Sequence, residues 1–263
     1  MMTFSFDLIS DLHIETWDQF DWTGQPTSPY CIVAGDVARD YEIVAETLAH
    51  LGKQYAGVFY IDGNEEHRYY LENLENSYNG LAAACSGIDN VVFMQDNIVI
   101  INGVAILATN GWWTYDFDSS VSIEDSREWH QEYMQISAEA VEDITKVAYH
   151  DAAYLINSVS KLQRQQDIKA IVLVSHTVPS PQLVNHDIDL VNTVRFNSLG
   201  NRHIEAALEE DTENKIKAWC FGHYHKSIDR IQSGIRFVNN PRGRGNTPWV
   251  QDPYYPKRIT IGY

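Results

Sequence analysis

The chain has 263 residues, and 36 acidic side chains outnumber 19 basic ones, which gives a formal net charge of −17. A composition that is 44% hydrophobic and 21% charged is ordinary for a globular protein and argues against long disorder, collagen-like repeats and coiled coils. The acidic balance also argues against a general nucleic-acid binder, since neutralising a phosphate backbone needs clustered Lys and Arg.

The cysteines and the apolar runs indicate the compartment. Cys31, Cys85 and Cys220 are far apart and odd in number, so they do not form a disulfide framework, and a reducing environment is the simplest interpretation. The longest apolar runs fall short of the ~18 residues that a membrane span needs, and the first residues alternate like a strand rather than a basic secretory leader. We therefore expect a cytoplasmic protein with no membrane partner.

Short apolar runs alternate with helical patterns in the first third of the chain. Strands that end in polar clusters are predicted over residues 4–9, 30–34 and 58–61. Apolar residues at helical spacing predict helices over residues 42–53 and 69–85.

The middle and the end of the chain continue this alternation. Residues 91–94, 98–101 and 104–108 are predicted to form one group of strands, with a hairpin turn at Asn102-Gly103. Residues 122–166 contain no glycine or proline and predict a cap-like insertion of two helices. Further strands are expected over residues 170–174, 218–221, 227–231 and 235–238, the last two joined at Ser233-Gly234.

These elements predict an α/β layered fold. Strands with helical crossovers come early and hairpins come late, which favours mixed sheets covered by helices. No linker-like stretch marks a domain boundary, so we expect a single domain over residues 1–263. Residues 241–256, rich in proline, glycine and aromatics, are expected to form an ordered loop.

Polar residues with metal-binding side chains follow five of the predicted strands directly. In an open α/β sheet the carboxyl ends of the strands gather at one edge and form the ligand crevice. The residues expected to meet there are Asp11, His13, Asp36, Asn64, His176, His223 and His225.

The residue types in this set have a chemical logic. The carboxylate of Asp36 has two oxygens and can bridge two cations, while Asn64 supplies a neutral carbonyl oxygen. Mixed oxygen and nitrogen ligands suit Mn²⁺, Fe, Zn²⁺ or Co²⁺ better than Ca²⁺ or Mg²⁺. Glycines at 35, 63 and 222 let the backbone turn sharply beside these ligands. Each short motif occurs by chance in many chains, but all of them in this order, each after a strand, indicate a metal site.

These motifs resemble those of the calcineurin-like metallophosphoesterase superfamily, whose pattern is D-x-H, G-D, G-N-[H]-[DE], a lone His after a strand and G-H-x-H. The resemblance runs from Asp11 to about Gly243, and residues 237–243 resemble the end of its small, single-domain bacterial and phage members. It implies a four-layer α/β/β/α sandwich with two metal ions at its edge. It further implies a first ion held by Asp11, His13, Asp36 and His225, and a second held by Asp36, Asn64, His176 and His223.

The resemblance also implies the chemistry of a dinuclear phosphoesterase. Two neighbouring divalent ions, Mn²⁺ in the first place with Fe, Zn²⁺, Ni²⁺ or Co²⁺ as alternatives, grip a phosphoryl group and lower the pKa of a water held between them. The resulting hydroxide attacks phosphorus in line. The sequence contains no Gly-x-Ser-x-Gly nucleophile elbow and no Gly-x4-Gly-Lys phosphate loop.

One position departs from the family pattern. Members that hydrolyse phosphomonoesters usually carry His after the Asn, but here Asn64 is followed by Glu65, so Asn64, Glu65 and His67 are the candidate catalytic residues. Either His67 swings in as the general acid, or Glu65 takes that role with a pKa raised by burial, or no strong acid exists and good leaving groups are preferred. Related phosphodiesterases lack this His, so we expect a small phosphodiester substrate, with nucleotide-derived esters in view. The alternatives are a phosphomonoesterase or protein phosphatase, or a catalytically weak binding or scaffold protein on the same fold.

Two further residues are candidates for substrate contact. Arg242, or Arg195 in its place, would add positive charge near the phosphate oxygens. Trp112, with Trp113 beside it, would stack on a base or another flat group of the substrate. The alternative for the two tryptophans is that they fill the junction between the sheet and the helical insertion.

Overall fold

The computed structural model describes residues 2–17, 25–184, 193–245, 247–248 and 250–263. Its strands are β1 (Thr3–Ile9), β2 (Tyr30–Ala34), β3 (Gly57–Ile61), β4 (Val91–Phe93), β5 (Asn97–Ile101), β6 (Val104–Thr109), β7 (Ala170–Ser175), β8 (Ile216–Phe221), β9 (Asp229–Gln232), β10 (Ile235–Asn239) and β11 (Lys257–Gly262). Its α-helices are α1 (Tyr41–Gly52), α2 (Leu74–Cys85), α3 (Ile123–Met134) and α4 (Ala138–Leu162).

The strands form two mixed sheets. The first has the order β11-β1-β2-β3-β4, in which β1 to β4 run parallel and β11 pairs antiparallel with β1. The second has the order β5-β6-β7-β8-β10-β9, with a parallel centre and antiparallel strands at both edges. The parallel strands of each sheet therefore end at a common edge.

Alternation along the strands divides the side chains among three apolar layers. Between the sheets, Phe6 and Ile32 of the first pack in one cluster with Ile106 and Val172 of the second. The outer face of the first sheet packs against α1 and α2, and the outer face of the second packs against α4. The predicted α/β fold, a four-layer α/β/β/α sandwich of two mixed sheets, is confirmed.

The two predicted hairpins are confirmed, each with a tight turn. Asn102 and Gly103 have φ values of 51° and 80°, and Ser233 and Gly234 have 50° and 82°. Positive φ at both central residues is the geometry that suits the right-handed twist of paired strands. Asn and Gly reach it at low steric cost.

Two expectations about strand pairing were wrong or incomplete. The group predicted over residues 91–108 is divided, because β4 joins β3 in the first sheet while β5 and β6 belong to the second. Met94 lies at the crossing, buried between the sheets. The sequence analysis also missed β11, an edge strand in which Ile259 and Ile261 are the buried positions.

The helices over residues 122–166 are α3 and α4, whose N-caps are Ser122 and Ser137. The second half of α4 packs on the second sheet through residues such as Leu155 and Val159, so this helix forms part of the outer layer. None of the helices in the described ranges is long and apolar enough to cross a membrane.

Candidate metal centre

The candidate ligands come from the carboxyl ends of both sheets. The first sheet contributes Asp11 and His13 after β1, Asp36 after β2 and Asn64 after β3, whereas the second contributes His176 after β7 and both His223 and His225 after β8. Hydrogen bonds cross between the sheets at this edge. His176 Nδ1 lies 2.9 Å from the Ala34 carbonyl oxygen, and the His223 N–H donates to Asp11 Oδ1 at 2.8 Å.

The structure brings these side chains into two overlapping groups. Asp11, His13, Asp36 and His225 place one potential ligand atom each within 4.8 Å of one another, and so do Asp36, His176 and His223. Asn64 joins the second group, since its Oδ1 lies 3.2 Å from His176 Nε2.

The carboxylate of Asp36 faces both groups with different oxygens. Its Oδ2 lies 3.6 Å from His13 Nε2, and its Oδ1 lies 3.3 Å from His176 Nε2. Within the first group, His225 Nε2 lies 3.5 Å from Asp11 Oδ1 and 3.0 Å from His13 Nε2. This is the arrangement in which one carboxylate can bridge two cations.

The chemistry of the donor atoms fits divalent metal ions. Asp11 Oδ2 and His13 Nδ1 are buried, and among the described residues neither has a hydrogen-bond partner. Metal–nitrogen bonds of about 2.0–2.1 Å place two imidazole nitrogens on one ion about 3 Å apart at a right angle, which matches the His13–His225 separation. The site is suited to divalent metal binding.

The electrostatics of the group point the same way. Burial lowers the pKa of His13 well below its usual range, and burial together with His176 lowers the pKa of His223 to about 3, so both imidazoles are neutral and able to ligate. Burial and the charges of Glu65 and Asp11 raise the pKa of Asp36. Negative charge gathered in a buried site is stabilised by bound cations.

Several of the candidate ligands sit on unusual backbone. Asp11, His13, Asp36 and His223 have φ values of 52°, 43°, 55° and 63°, in the left-handed region that residues with a Cβ seldom adopt. The turns are held by neighbouring backbone, as where the Asp11 N–H donates to the Gly35 carbonyl at 2.9 Å. Such conformations cost of order 1–3 kcal/mol each and cluster at functional sites.

Two glycines make room for the ligands. A Cβ on Gly63 would lie 2.2 Å from Asp36 Oδ1, and a Cβ on Gly35, where φ is +84°, would lie 2.3 Å from His176 Nδ1. The sequence analysis expected close approach at these positions, and the structure identifies the atoms that approach.

Glu66 is a residue of the site that the sequence analysis missed. Its fully buried carboxylate accepts hydrogen bonds from the backbone N–H groups of Asp36, Val37 and Gly63 and from the Tyr60 hydroxyl, at 2.8 to 3.2 Å. Burial, followed by the charge of Asp36, raises its pKa to about 8. Glu66 thereby joins the turns that carry Asp36 and Asn64. The acidic position that ends the family's G-N-[H]-[DE] motif was the available signal.

Glu65 is held between two arginines. Arg39 Nε lies 2.6 Å from Glu65 Oε2, and Arg244 Nη2 lies 2.8 Å from Oε1. Although burial alone would raise it, the pKa of Glu65 is lowered, because the charges of Arg244 and Arg39 stabilise the carboxylate. Of the three alternatives for the general acid, the one in which burial raises the pKa of Glu65 is therefore contradicted.

His67 lies in a separate buried hydrogen-bond network. It is fully buried, with Nδ1 2.7 Å from Ser77 Oγ and Nε2 2.8 Å from Asp62 Oδ2. The side-chain amide of Asn110 donates to the same Asp62 oxygen, and the backbone carbonyl of Asn110 accepts from the backbone N–H of His176 at 2.8 Å. Movement of His67 to the ligand cluster would break both of its ring hydrogen bonds.

The structure also shows where the candidate residues for substrate contact lie. Trp112 is fully buried and donates its Nε1 hydrogen to the Tyr78 hydroxyl, so, contrary to the stacking expectation, its ring is not available to a substrate. Trp113 stacks on His223 with ring centroids 5.6 Å apart. Arg242 is buried with its guanidinium 3.8 Å from the centre of the Trp17 ring, and Arg195 is exposed.

Comparison with known sequences finds a viral relative. A search against protein-family models finds no match. The uncharacterised protein L509 of Acanthamoeba polyphaga mimivirus is 23% identical over an alignment of 273 residues with gaps. The alignment covers 94% of this chain and 93% of the viral protein.

Two solved structures share the architecture. Phosphopantetheinyl hydrolase of Mycobacterium tuberculosis superposes with a TM-score of 0.70 at 20% identity, over 97% of this chain and 95% of that one. A protein named as a 5′-nucleotidase of Staphylococcus aureus gives a TM-score of 0.51 at 14% identity, over 99% of this chain and 51% of that one. The chain has a metallophosphoesterase-like fold, with a cluster of Asp and His side chains at its edge.

Proposed function

We propose that the protein is a metal-dependent phosphoesterase that holds two divalent ions and hydrolyses phosphodiesters. The observation that carries the proposal is the position of Asp36, whose two oxygens face two different groups of ligands. The first ion would be held by Asp11, His13, Asp36 and His225. The second would be held by Asp36, Asn64, His176 and His223.

Each ligand would have a defined part in this centre. Divalent ions bound here would supply Lewis-acid stabilisation of the phosphoryl oxygens and activation of a water molecule. Asp11 and Asp36 offset the cationic charge, and the Glu65 N–H orients Asp36 by donating to Oδ1 at 2.9 Å. The Ala34 carbonyl oxygen fixes the ring of His176, which keeps its Nε2 directed at Asn64 and Asp36.

The preference for diesters rests on Glu65, which stands where monoester-cleaving members of the resembled family usually carry His, and the proton donors near the cluster indicate which leaving groups are favoured. Hydrolysis releases an alcohol whose oxygen must take a proton, and a general acid is needed most when that alcohol is strongly basic. Glu65 is held as a carboxylate by Arg39 and Arg244, and both ring nitrogens of His67 are engaged elsewhere. Esters with good leaving groups are therefore the favoured substrates. The names of the two structural neighbours describe hydrolases of phosphorylated molecules, which supports the broad class of phosphohydrolase and does not distinguish diesters from monoesters.

The test compares metal content and turnover in one set of variants. Purified protein is stripped with chelator, reloaded with Mn²⁺, Fe²⁺, Zn²⁺, Ni²⁺ or Co²⁺, and assayed for bound metal and for hydrolysis of bis(p-nitrophenyl) phosphate and p-nitrophenyl phosphate. We expect two ions per chain and faster diester turnover, both lost in Asp36→Ala. The control is Asp229→Ala, which removes a carboxylate from the β9–β10 hairpin. This variant should keep both the bound metal and the diester turnover.

Three outcomes would contradict the proposal in different ways. Faster turnover of the monoester would indicate a phosphomonoesterase. Bound metal without turnover of either ester would indicate a binding or scaffold protein. Diester turnover that survives Asp36→Ala would place the chemistry elsewhere in the molecule.

A further inference from the structure

The contacts of Glu65 arrange two guanidinium groups at the rim of the ligand cluster. Glu65 is 3% exposed, whereas the side chains of Arg39 and Arg244 are 26% and 29% exposed. The carboxylate is therefore buried, and the two arginine side chains that hold it are partly exposed. Each guanidinium carries five N–H donors in a planar fork, and its contact with Glu65 uses one nitrogen.

Both arginines are tied to segments that carry candidate ligands. Arg39 lies three residues after Asp36. Arg244 follows Gly243, whose N–H donates to the Asp11 carbonyl at 3.0 Å.

This placement is unusual for the protein as a whole. The chain has a net charge of −17, and yet two arginines are fixed by a buried carboxylate beside the cluster. Glu65 and Glu15, whose Oε1 lies 3.7 Å from Arg39 Nε, together offset the formal charge of the two arginines. With divalent ions in the cluster, the rim on this side would be positive and would present forked donors to solvent.

We propose that Arg39 and Arg244, braced by Glu65, recognise a second phosphate-type anion of the substrate, next to the phosphodiester that is cleaved. The planar guanidinium fork matches the oxygens of a phosphate group, and paired arginines are the usual means of binding one. Glu65 is then a positioning residue. The substrate class is a phosphodiester or phosphoanhydride that carries an additional phosphate. This inference rests on the proposed phosphodiesterase activity and names its substrate class.

The experiment compares substrates that differ by one phosphate. The esters are thymidine 5′-(p-nitrophenyl phosphate), the same compound with a 3′-phosphate, and the β-(p-nitrophenyl) ester of thymidine 5′-diphosphate. The last two separate a phosphate on the sugar from one in an anhydride. We expect at least one of them to have a KM ten or more times lower than the simple diester in the Mn²⁺-loaded wild type.

The arginine variants test the assignment to these residues. Arg39→Gln and Arg244→Gln should each raise the KM of the preferred doubly anionic ester about tenfold or more relative to the KM of the simple diester. Arg244→Lys, which keeps the charge and loses the fork, should be intermediate. Arg236→Gln is the matched control, because Arg236 is 28% exposed and paired with Asp229.

The outcomes separate this inference from the proposed function. Absence of turnover of all three esters by metal-loaded wild type would overturn the proposed function. Turnover without a KM preference for the extra phosphate, or arginine variants that raise the KM of all the esters alike, would overturn the recognition site alone. A second readout is the binding of methylenebisphosphonate against methylphosphonate by calorimetry, with metal in excess. Arg244→Gln should remove the bisphosphonate's advantage, and an unchanged advantage would refute the assignment.

Discussion

Replacing Gly63 with alanine tests the geometry of the metal centre most directly. The added Cβ would lie 2.2 Å from Asp36 Oδ1, 2.5 Å from the Asp36 nitrogen and 2.8 Å from His176 Cε1. Ordinary contacts between such atoms are about 3.4 Å or more, so Asp36 or the turn after β3 must move by about 1 Å. Overpacking of this kind costs typically 1–3 kcal/mol of unfolding free energy.

The displacement matters more for metal binding than for stability. Metal sites hold their ligands within about 0.2 Å of ideal distances, so a shift of about 1 Å at the shared carboxylate should weaken both sites together. We expect Gly63→Ala to remain folded and to lose at least about a hundredfold in Mn²⁺ affinity, measured by calorimetry on chelator-stripped protein. Diester turnover should fall with it.

The control for this variant is Gly87→Ala. A Cβ on Gly87 meets no atom within 4 Å, although its φ of +80° makes alanine strained by about 1–2 kcal/mol. Gly87→Ala should therefore lose stability and keep its metal. Wild-type Mn²⁺ affinity in Gly63→Ala would refute the reasoning, since it would mean that Asp36 moves without consequence for the ligands.

Three further predictions concern a buried acid, the outer helix and the catalytic position. Burial raises the pKa of Asp151 to about 7 from 3.8, so the folded protein keeps a proton that the unfolded chain releases, and stability falls as the pH rises between about 4 and about 7. Between pH 4.5 and 8, Asp151→Asn should remove about 3 kcal/mol of this fall, measured by urea denaturation at both pH values; an equal fall in variant and wild type would contradict the prediction. Leu155→Ala should cost about 2–5 kcal/mol in global unfolding, because Leu155 is fully buried between α4 and the second sheet, while the exposed Tyr149→Ala on the same helix should be nearly neutral. A loss below 1 kcal/mol would mean that α4 unfolds apart from the sheet. Glu65→His should not create phosphomonoesterase activity, since the two neighbouring guanidinium groups oppose protonation of the imidazole; a rise in p-nitrophenyl phosphate turnover would show that the ring escapes them.

The local sequence pattern was sufficient to predict most of the strands and helices, but it did not predict which strands pair with each other. The strand over residues 30–34 and both hairpins follow from runs of apolar residues and from turn residues that adopt positive φ. The assignment of β4 to one sheet and of β5 to the other depends on pairing with β3 and β6, which local spacing does not encode. The edge strand β11 has two buried apolar residues, too few to stand out as an alternating pattern.

The candidate ligands were predictable for a similar reason, because they follow strand ends and parallel strands end together. The left-handed backbone at Asp11, His13, Asp36 and His223 was not predictable, since Asp and His adopt it more often than most residues but still rarely, and the surrounding hydrogen bonds impose it here. Positions that combine a ligand side chain with strained backbone are thus found only when the sheets are assembled.

Two adjacent glutamates show why the protonation behaviour of the site could not be predicted from the sequence alone. Glu65 and Glu66 have the same side chain, and both are buried, yet the pKa of Glu65 is lowered while that of Glu66 is raised to about 8. Glu66 receives neutral N–H and O–H donors beside the charge of Asp36, whereas Glu65 receives two guanidinium groups, one of them from the far end of the chain. An acid role follows from the partners of a carboxyl group rather than from its place in a motif. The ion pairs that keep Glu65 ionised also fix the positions of Arg39 and Arg244, which we propose bind a second anion of the substrate.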